Sequence, residues 1–301
     1  MNEGMVPFVR QRRLLDVPLS PVHSVKTPLR YPGGKSVLWA YVSGLIDTSG
    51  CGAAYVEPYA GGAGIALRLL AEGKVSGIVV NDVDAGVHAF WDAVVNDHAR
   101  FMRLFDLVDP TIGQWRYWRD VLRDPGDELE RGFAFFFLNR TCRSGVVTAG
   151  VIGGLAQKGR YRVDARYNKS ALRDKLEFLG CNADRIEVRG SDGADVVRDY
   201  AGRPGVFVYA DPPYVAKGAS LYASAFDEAR HRMLADVLTG CRDGVWMLTY
   251  DDAPLVRGLY AGLPGGLYNL RYSAARHCAA RELMVYSPAL AGCRKEGGSW
   301  S

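Results

Sequence analysis

Long apolar runs are missing from this 301-residue chain: no stretch reaches the roughly 18 residues that a membrane span needs. Arg10, Arg12 and Arg13 are followed by no apolar signal core, so the expectation is a soluble, cytosolic protein. Paired cysteines are missing too. Cys51, Cys142, Cys181, Cys241, Cys278 and Cys293 stand singly, with no C-x-x-C spacing, which speaks against zinc and for reduced core thiols. No other ligand cluster implies a metal. Net charge is nearly absent as well, +4 from 37 basic and 33 acidic residues, and alone it decides nothing.

The distribution of that charge says more. Arg140, Arg143, Lys158, Arg160, Arg162, Arg166, Lys169, Arg173 and Lys175 are opposed only by Asp164 and Asp174, which gives this stretch +7 and leaves the rest of the chain at −3. A basic segment on a mildly acidic body suggests a polyanion footprint. The plainer alternative is a solvated loop face.

With 48% hydrophobic residues the chain can bury a full core. It is expected to form one domain of about 200 residues with a substantial insertion, or two small domains. Residues 1–26 lack periodicity and read as a flexible arm. From Ala53 a strand, glycine turn, helix pattern sets in. Ala54 to Tyr59 is β-rich and ends in Gly61-Gly62-Ala63-Gly64, and Ile65 to Glu72 has helical spacing. Ile78-Val79-Val80 is an apolar strand ending in Asn81-Asp82, and Asp84 is placed to cap the helix that follows. The rhythm breaks over residues 108–179, which hold aromatic helical runs (Phe133 to Phe137 among them) and a glycine-rich loop from Gly145 to Gly159, long enough to suggest a function. Such aromatic runs are more often core than dimer interface.

Strands resume at Ile186–Val188, Val206–Ala210 and Val245–Thr249, with helices after Phe226-Asp227 and from Asp252 to Tyr260. Leu267–Tyr272 and Leu283–Tyr286 suggest a closing antiparallel pair. Apolar strands alternating with helices predict a doubly wound α/β domain with a parallel sheet and an inserted helical module.

Ligands in such sheets sit at the carboxyl ends of strands, and three motifs fall there. Glu57-Pro58-Tyr59-Ala60-Gly61-Gly62-Ala63-Gly64 lets a backbone approach a ligand and offers a helix N-terminus, or merely turns the chain. Leu67 replaces the third glycine of G-x-G-x-x-G, which disfavours a dinucleotide fold. Asp82 is placed to accept both ribose hydroxyls of an adenosine ligand. Asp211-Pro212-Pro213-Tyr214 is the most specific: two prolines stiffen the turn, the Asp211 carboxylate and Pro212 carbonyl form a pair of acceptors matched to an exocyclic amine, and Tyr214 offers a face to a flat base. Taken alone, it could still be only a strand-ending turn. Gly33-Gly34-Lys35-Ser36 ends like a P-loop, but Leu29 stands where its first glycine belongs.

Together these residues resemble the Dam-type (D12 class, alpha-group) DNA adenine-N6 methyltransferases over about residues 27–288. Thr27 to Lys35 is similar to the family's N-terminal cofactor motif, Val56 to Gly64 to its methionine-binding loop, Asn81-Asp82 to its ribose motif, and Asp211 to Tyr214 to its catalytic motif. Phe137-Leu138-Asn139-Arg140-Thr141 resembles the opening of its target-recognition segment. The resemblance implies a Rossmann-like fold that binds S-adenosyl-L-methionine (SAM), with an inserted, mainly helical target-recognition domain. Residues 27–107 and 180–290 would be catalytic, 108–179 the recognition insertion, and 291–301 a flexible tail. It implies cofactor contacts from Tyr31, Gly34, Lys35 (at the carboxylate end), Glu57, Pro58, Tyr59, Gly61, Gly62, Gly64, Asp82 and Asp192, the last at the cofactor adenine. Catalysis would fall to Asp211, Pro212, Pro213 and Tyr214, and DNA contact to Asn139, Arg140, Arg143, Lys158, Arg160, Arg162 and Lys169.

The implied substrate is double-stranded DNA in the cytoplasm or nucleoid of a prokaryotic or phage-infected cell. The implied protein partners are a second copy and a cognate restriction endonuclease. Cys142-Arg143-Ser144-Gly145 departs from the family's Ser-Phe-Asn-Gly-like run, so the recognised sequence is not to be carried over. The competing readings are methylation of cytosine N4, of RNA or of a protein glutamine, and a catalytically silent DNA-binding protein of the same fold.

Overall fold

Five of the apolar runs pair side by side in the computed structural model, which describes residues 15, 17, 27–31, 33–215, 226–271 and 279–296. Strands β1 (Ala54–Glu57), β2 (Gly77–Asn81), β3 (Ile186–Arg189), β4 (Val206–Ala210) and β5 (Val245–Asp251) are parallel. β6 (Gly265–Arg271) and β7 (Ala279–Tyr286) complete a seven-stranded sheet of order β3-β2-β1-β4-β5-β7-β6, with β7 antiparallel to both neighbours. The closing pair is therefore present; Tyr272 lies outside the described residues. The sheet is that of a doubly wound, Rossmann-like methyltransferase fold. Its order reverses between β1 and β4, which sets the ends of those two strands against each other at the position where such sheets bind ligands.

Alternation along the strands sorts two cores. Val56, Val79, Val208, Trp246 and Leu248 face one side, under α8 (Gly193–Tyr200), α9 (Glu228–Gly240) and α10 (Pro254–Leu259). Tyr55, Ile78, Val80, Phe207 and Met247 face the other, under α1 (Trp39–Ser49), α2 (Gly64–Ala71) and α3 (Ala85–Asn96). A strand covered on both faces has no polar face to show, which is why these runs read as continuous apolar segments. Asp84 does cap α3, accepting from Gly86 N at 2.9 Å and Val87 N at 3.0 Å.

The inserted segment contributes α5 (Ile112–Arg123), α6 (Glu128–Thr141) and α7 (Lys169–Cys181), next to α4 (His98–Leu107). It builds no separate core. Phe133 to Phe137 are all buried, and Phe136 stacks on Phe90 of α3 with ring centroids 5.7 Å apart. A Cβ on Gly132 would lie 2.2 Å from the Ala89 carbonyl oxygen, so the closeness of the α3–α6 crossing depends on that glycine. At the other end, α11 (Pro288–Glu296) carries helix into the segment expected to be a tail, with Leu290 buried. Of the expected arm, only Leu15 and Val17 are described; the Leu15 amide donates to the Leu267 carbonyl of β6 at 2.6 Å.

Candidate active site

Asn81, fully buried at the end of β2, ties three strand ends together. Its amide donates to Pro58 O at 2.7 Å and Ser191 O at 3.0 Å and accepts from Ser191 N at 2.9 Å. That fixes the Glu57–Gly64 loop beside the Gly190-Ser191-Asp192 turn. Asp82 next to it accepts from Gly61 N at 2.9 Å and Asp84 N at 3.0 Å; burial pushes its carboxyl up to about 6 against these two bonds. Gly61 has φ +47°, and a Cβ there would stand 2.6 Å from the Tyr31 ring, so Tyr31 closes directly over the glycine loop. Tyr59 packs on Gly193 and edge-on to Phe226, and its buried hydroxyl has no hydrogen-bond partner among the described residues. Asp192 caps α8 through Ala194 N at 2.9 Å.

Glu57 faces inward. Its Oε1 accepts from Tyr55 OH at 3.0 Å and from Ala66 N, in the first turn of α2, at 3.2 Å, and burial pushes the carboxyl up to about 8. In this arrangement Glu57 supports the loop from beneath.

Across the switch point stands the end of β4. Thr249 of β5 donates to Asp211 Oδ1 at 2.7 Å and is itself bonded to Tyr209 OH at 2.8 Å. Lys35 Nζ donates to Asp211 Oδ2 at 3.0 Å and to Tyr214 OH at 2.6 Å, and lies 4.8 Å from the centre of the Tyr214 ring. Behind it Glu282 Oε2 stands 3.7 Å away and accepts from Tyr268 OH at 2.6 Å. Burial raises the Asp211 carboxyl above the usual carboxylate range; Lys35 pulls it back and Glu282 adds to the rise. Lys35, expected at the carboxylate end of a cofactor, is thus found on Asp211 and Tyr214. The segment Asp211 to Tyr214 is followed by Val215, whose amide is held by Asp251 Oδ1 at 3.1 Å.

The insertion grips the segment that carries Lys35. Asn139, 1% exposed, accepts from Arg30 N at 2.7 Å and donates to Arg30 O at 2.8 Å and Gly145 O at 2.9 Å. Arg140 donates to Arg166 O at 2.7 Å and Pro28 O at 3.3 Å, and burial lowers its guanidinium to about 10. Lys175 donates to Thr27 O at 3.0 Å. Asn139 and Arg140, expected at DNA, are turned into the protein, while Lys169 is paired with Asp109 at 2.9 Å. Arg143, Lys158, Arg160 and Arg162 are exposed.

Arg143 lines an open groove of about 560 Å³ whose other cations are Arg116, Arg119 and Arg123 of α5, against the single carboxylate of Asp120. Among the described residues no helix is long and apolar enough to cross a membrane, and no group of three His, Cys, Asp or Glu is placed to hold a metal ion.

The profile of the family described as D12 class N6 adenine-specific DNA methyltransferase matches residues 31–274. The chain belongs to that family. It is also similar to the Type II methyltransferase M.MjaIII of Methanocaldococcus jannaschii, 24% identical over 206 residues that cover 63% of this chain and 69% of that one. Among solved structures it resembles the rRNA methyltransferase aviRa from Streptomyces viridochromogenes at 14% identity over 94% of each chain, with a TM-score of 0.38 that carries no weight.

This D12-family enzyme therefore gathers Tyr31, Gly34, Lys35, Pro58, Tyr59, Gly61, Gly62, Gly64, Asp82, Asp192 and Asp211 to Tyr214 around the carboxyl ends of β1 to β4. Thr249, Tyr268 and Glu282 join Lys35 and Asp211 there although no motif marks them; only the sheet order brings β5, β6 and β7 to that point. Arg116, Arg119 and Arg123 did leave a signal, three arginines on one face of a helix.

Proposed function

We propose that this DNA methyltransferase is site-specific, takes its methyl group from S-adenosyl-L-methionine and places it on N6 of an adenine turned out of double-stranded DNA. One observation carries the reading: Asp211 is held on both oxygens, by Thr249 and Lys35, beside Tyr214 and across the switch point from the glycine loop.

The donor set fits such a cofactor. Asp82 and Asp192 are acceptors for ribose hydroxyls and an exocyclic amine, and near them the buried Tyr59 hydroxyl has no hydrogen-bond partner among the described residues. Tyr31, Gly34, Pro58 and the Gly61–Gly64 run would complete the holding surface. When bound, SAM supplies a methyl group already activated on its sulfonium. The chain's own work is to hold and orient. An adenine inside a duplex is out of reach, so it must leave the stack at a cost of a few kcal/mol. Asp211 and the Pro212 carbonyl accept the two hydrogens of its amine, draw the nitrogen toward tetrahedral geometry and expose the lone pair. Pro213 keeps the turn rigid and Tyr214 gives the base an aromatic face. Fixed acceptors in a shielded site act without reorganising during the reaction.

DNA would lie along the insertion. Arg143, Lys158, Arg160, Arg162 and the α5 arginines form the surface for phosphates, whereas Asn139 and Arg140 act by mounting the Arg30–Lys35 segment. Single-molecule sequencing of plasmid DNA from a methylase-deficient host expressing the chain tests the reading, with Asp211→Ala beside it. N6-methyladenine in one short motif, absent from the control, is the expected result. Modification of cytosine N4 instead, or of neither base, would overturn it.

A further inference from the structure

The Lys35 ammonium stands within ion-pair distance of two carboxylates, Asp211 at 3.0 Å and Glu282 at 3.7 Å. Side chains of Lys35 and Glu282 are 5% and 2% exposed, and that of Asp211 is 21% exposed. The ammonium lies on Asp211 Oδ2 and the Tyr214 hydroxyl, and Asp211 is one of the two acceptors that the proposed reading gives to the target amine. Two donors cannot fill one position, so the ammonium needs a second place to go. Releasing a buried cation without an acceptor would be costly, because a buried charge left unpaired loses its hydration for nothing in return.

Glu282 offers that place. Its Oε2 is 3.7 Å from Lys35 Nζ, too long for the best contact and short enough to be reached by a small rotation of the lysine's end. It is anchored by Tyr268 OH at 2.6 Å, so it does not move toward Asp211 itself. Asp211 in turn stays fixed through Oδ1 by Thr249 whichever way Lys35 leans.

We propose that Glu282 is a positioning residue for methyl transfer: it is the second seat of the Lys35 ammonium, and draws it off Asp211 as the target amine takes its place. This rests on the amine-binding role given to Asp211 above. Among the described residues the other ionisable groups facing Asp211 are Tyr55 and Glu57 on β1, Tyr209 on β4, Tyr250 on β5, Tyr268 on β6 and Tyr214 itself. None of them offers Lys35 a second carboxylate: Glu57 is engaged with Tyr55 and Ala66.

The experiment is steady-state methylation of duplex DNA by the full chain and by Glu282→Gln, with the pH dependence of kcat. In Glu282→Gln the ammonium keeps Asp211, Tyr214 OH and Gly33 O but loses the Glu282 carboxylate. kcat falls about tenfold or more while the KM for SAM stays within about twofold, an interaction needed for turnover and not for cofactor binding. The acid limb of kcat moves to lower pH, because Asp211 loses a like charge and keeps its cation. Glu282→Asp restores the charge and recovers part of the rate.

Unchanged kcat in Glu282→Gln overturns the proposal. So does a loss of rate with an unmoved acid limb and no recovery in Glu282→Asp, which is the mark of a packing role. If Glu282→Gln does not fold, Tyr268→Phe decides: loss of the Tyr268 bond to the Glu282 carboxylate lowers kcat with KM for SAM unchanged, and a wild-type kcat there refutes the role. Failure of the underlying reading looks different, since the wild-type chain would then make no N6-methyladenine at all.

Discussion

Glu57 makes a measurable claim about the loop it supports. Its carboxyl is 6% exposed, bonded to Tyr55 and to the first turn of α2, and pushed from 4.5 up to about 8, chiefly by burial. The folded chain therefore keeps a proton on Glu57 in a window, from about pH 4.5 to about pH 8, in which the unfolded chain has lost it. A state that binds more protons is weakened as protons are withdrawn, so this group's contribution is whole below pH 4.5 and drains away as pH rises through the window. At about 1.36 kcal/mol per pH unit the loss is about 3 kcal/mol at pH 7 and approaches about 5 kcal/mol by pH 9. Glu57→Gln has nearly the shape of the protonated acid, with a carbonyl oxygen to accept and an NH2 group in place of the O–H, and cannot ionise. Urea unfolding of both proteins at pH 5 and pH 8.5 reads the difference. Relative to wild type, the Gln variant gains about 4 kcal/mol between those two values and is the more stable protein at the upper one. A difference that stays flat across the range would mean that Glu57 is ionised in the fold and caps α2 as a carboxylate.

Three further outcomes follow from the same geometry. Asp211→Ala abolishes turnover but leaves SAM affinity, read by calorimetry, within a few fold; joint loss of both would assign Asp211 a structural part. Asn139→Ala strands Arg30 N, Arg30 O and Gly145 O, and lowers the unfolding free energy by about 2–4 kcal/mol in urea titrations; a loss below about 0.5 kcal/mol would refute the clamp. Duplex affinity falls steeply with salt, and Arg119→Ala makes the log–log slope shallower by about one, equally for cognate and unrelated sequences, if the α5 groove holds a phosphate; an unaltered slope would remove the groove from the DNA surface.

Much of this molecule is legible in its sequence, because strands covered on both faces must be apolar throughout and the residues after them must turn. Val206 to Ala210 followed by Asp211-Pro212-Pro213-Tyr214 is the clearest case: the run fixes a buried strand, the prolines stop it, and the acceptor falls at the sheet's carboxyl edge. Charge is less informative, since a count of arginines carries no direction. Arg140 sits four residues after Phe136 and seven after Phe133, on the buried face of α6, where helical spacing could have foretold its turn toward the Pro28 and Arg166 carbonyls. Arg116, Arg119 and Arg123 share one face of α5 but stand outside the dense basic run that draws attention downstream. Glu282 left no local trace. It reaches the site only because β7 inserts between β5 and β6, a long-range pairing that periodicity cannot report.

The position of the insertion in the chain acquires a physical meaning from the same contacts. The segment from Thr27 to Lys35 is too short and too poor in apolar residues to hold itself in place. At its start it is bound by Lys175, Arg140 and Asn139, all from the insertion, and at its end Lys35 reaches Asp211, Tyr214 and Glu282 on the catalytic side. Tyr31, between these two anchorages, covers the glycine loop. A shift of α6 when DNA engages the neighbouring Arg143 loop would thus be felt through Arg30 at the ammonium that occupies the amine's place. On the proposed function, recognition and catalysis would share this one segment, whose backbone is held at Arg30 by the buried Asn139 amide rather than by surface charges.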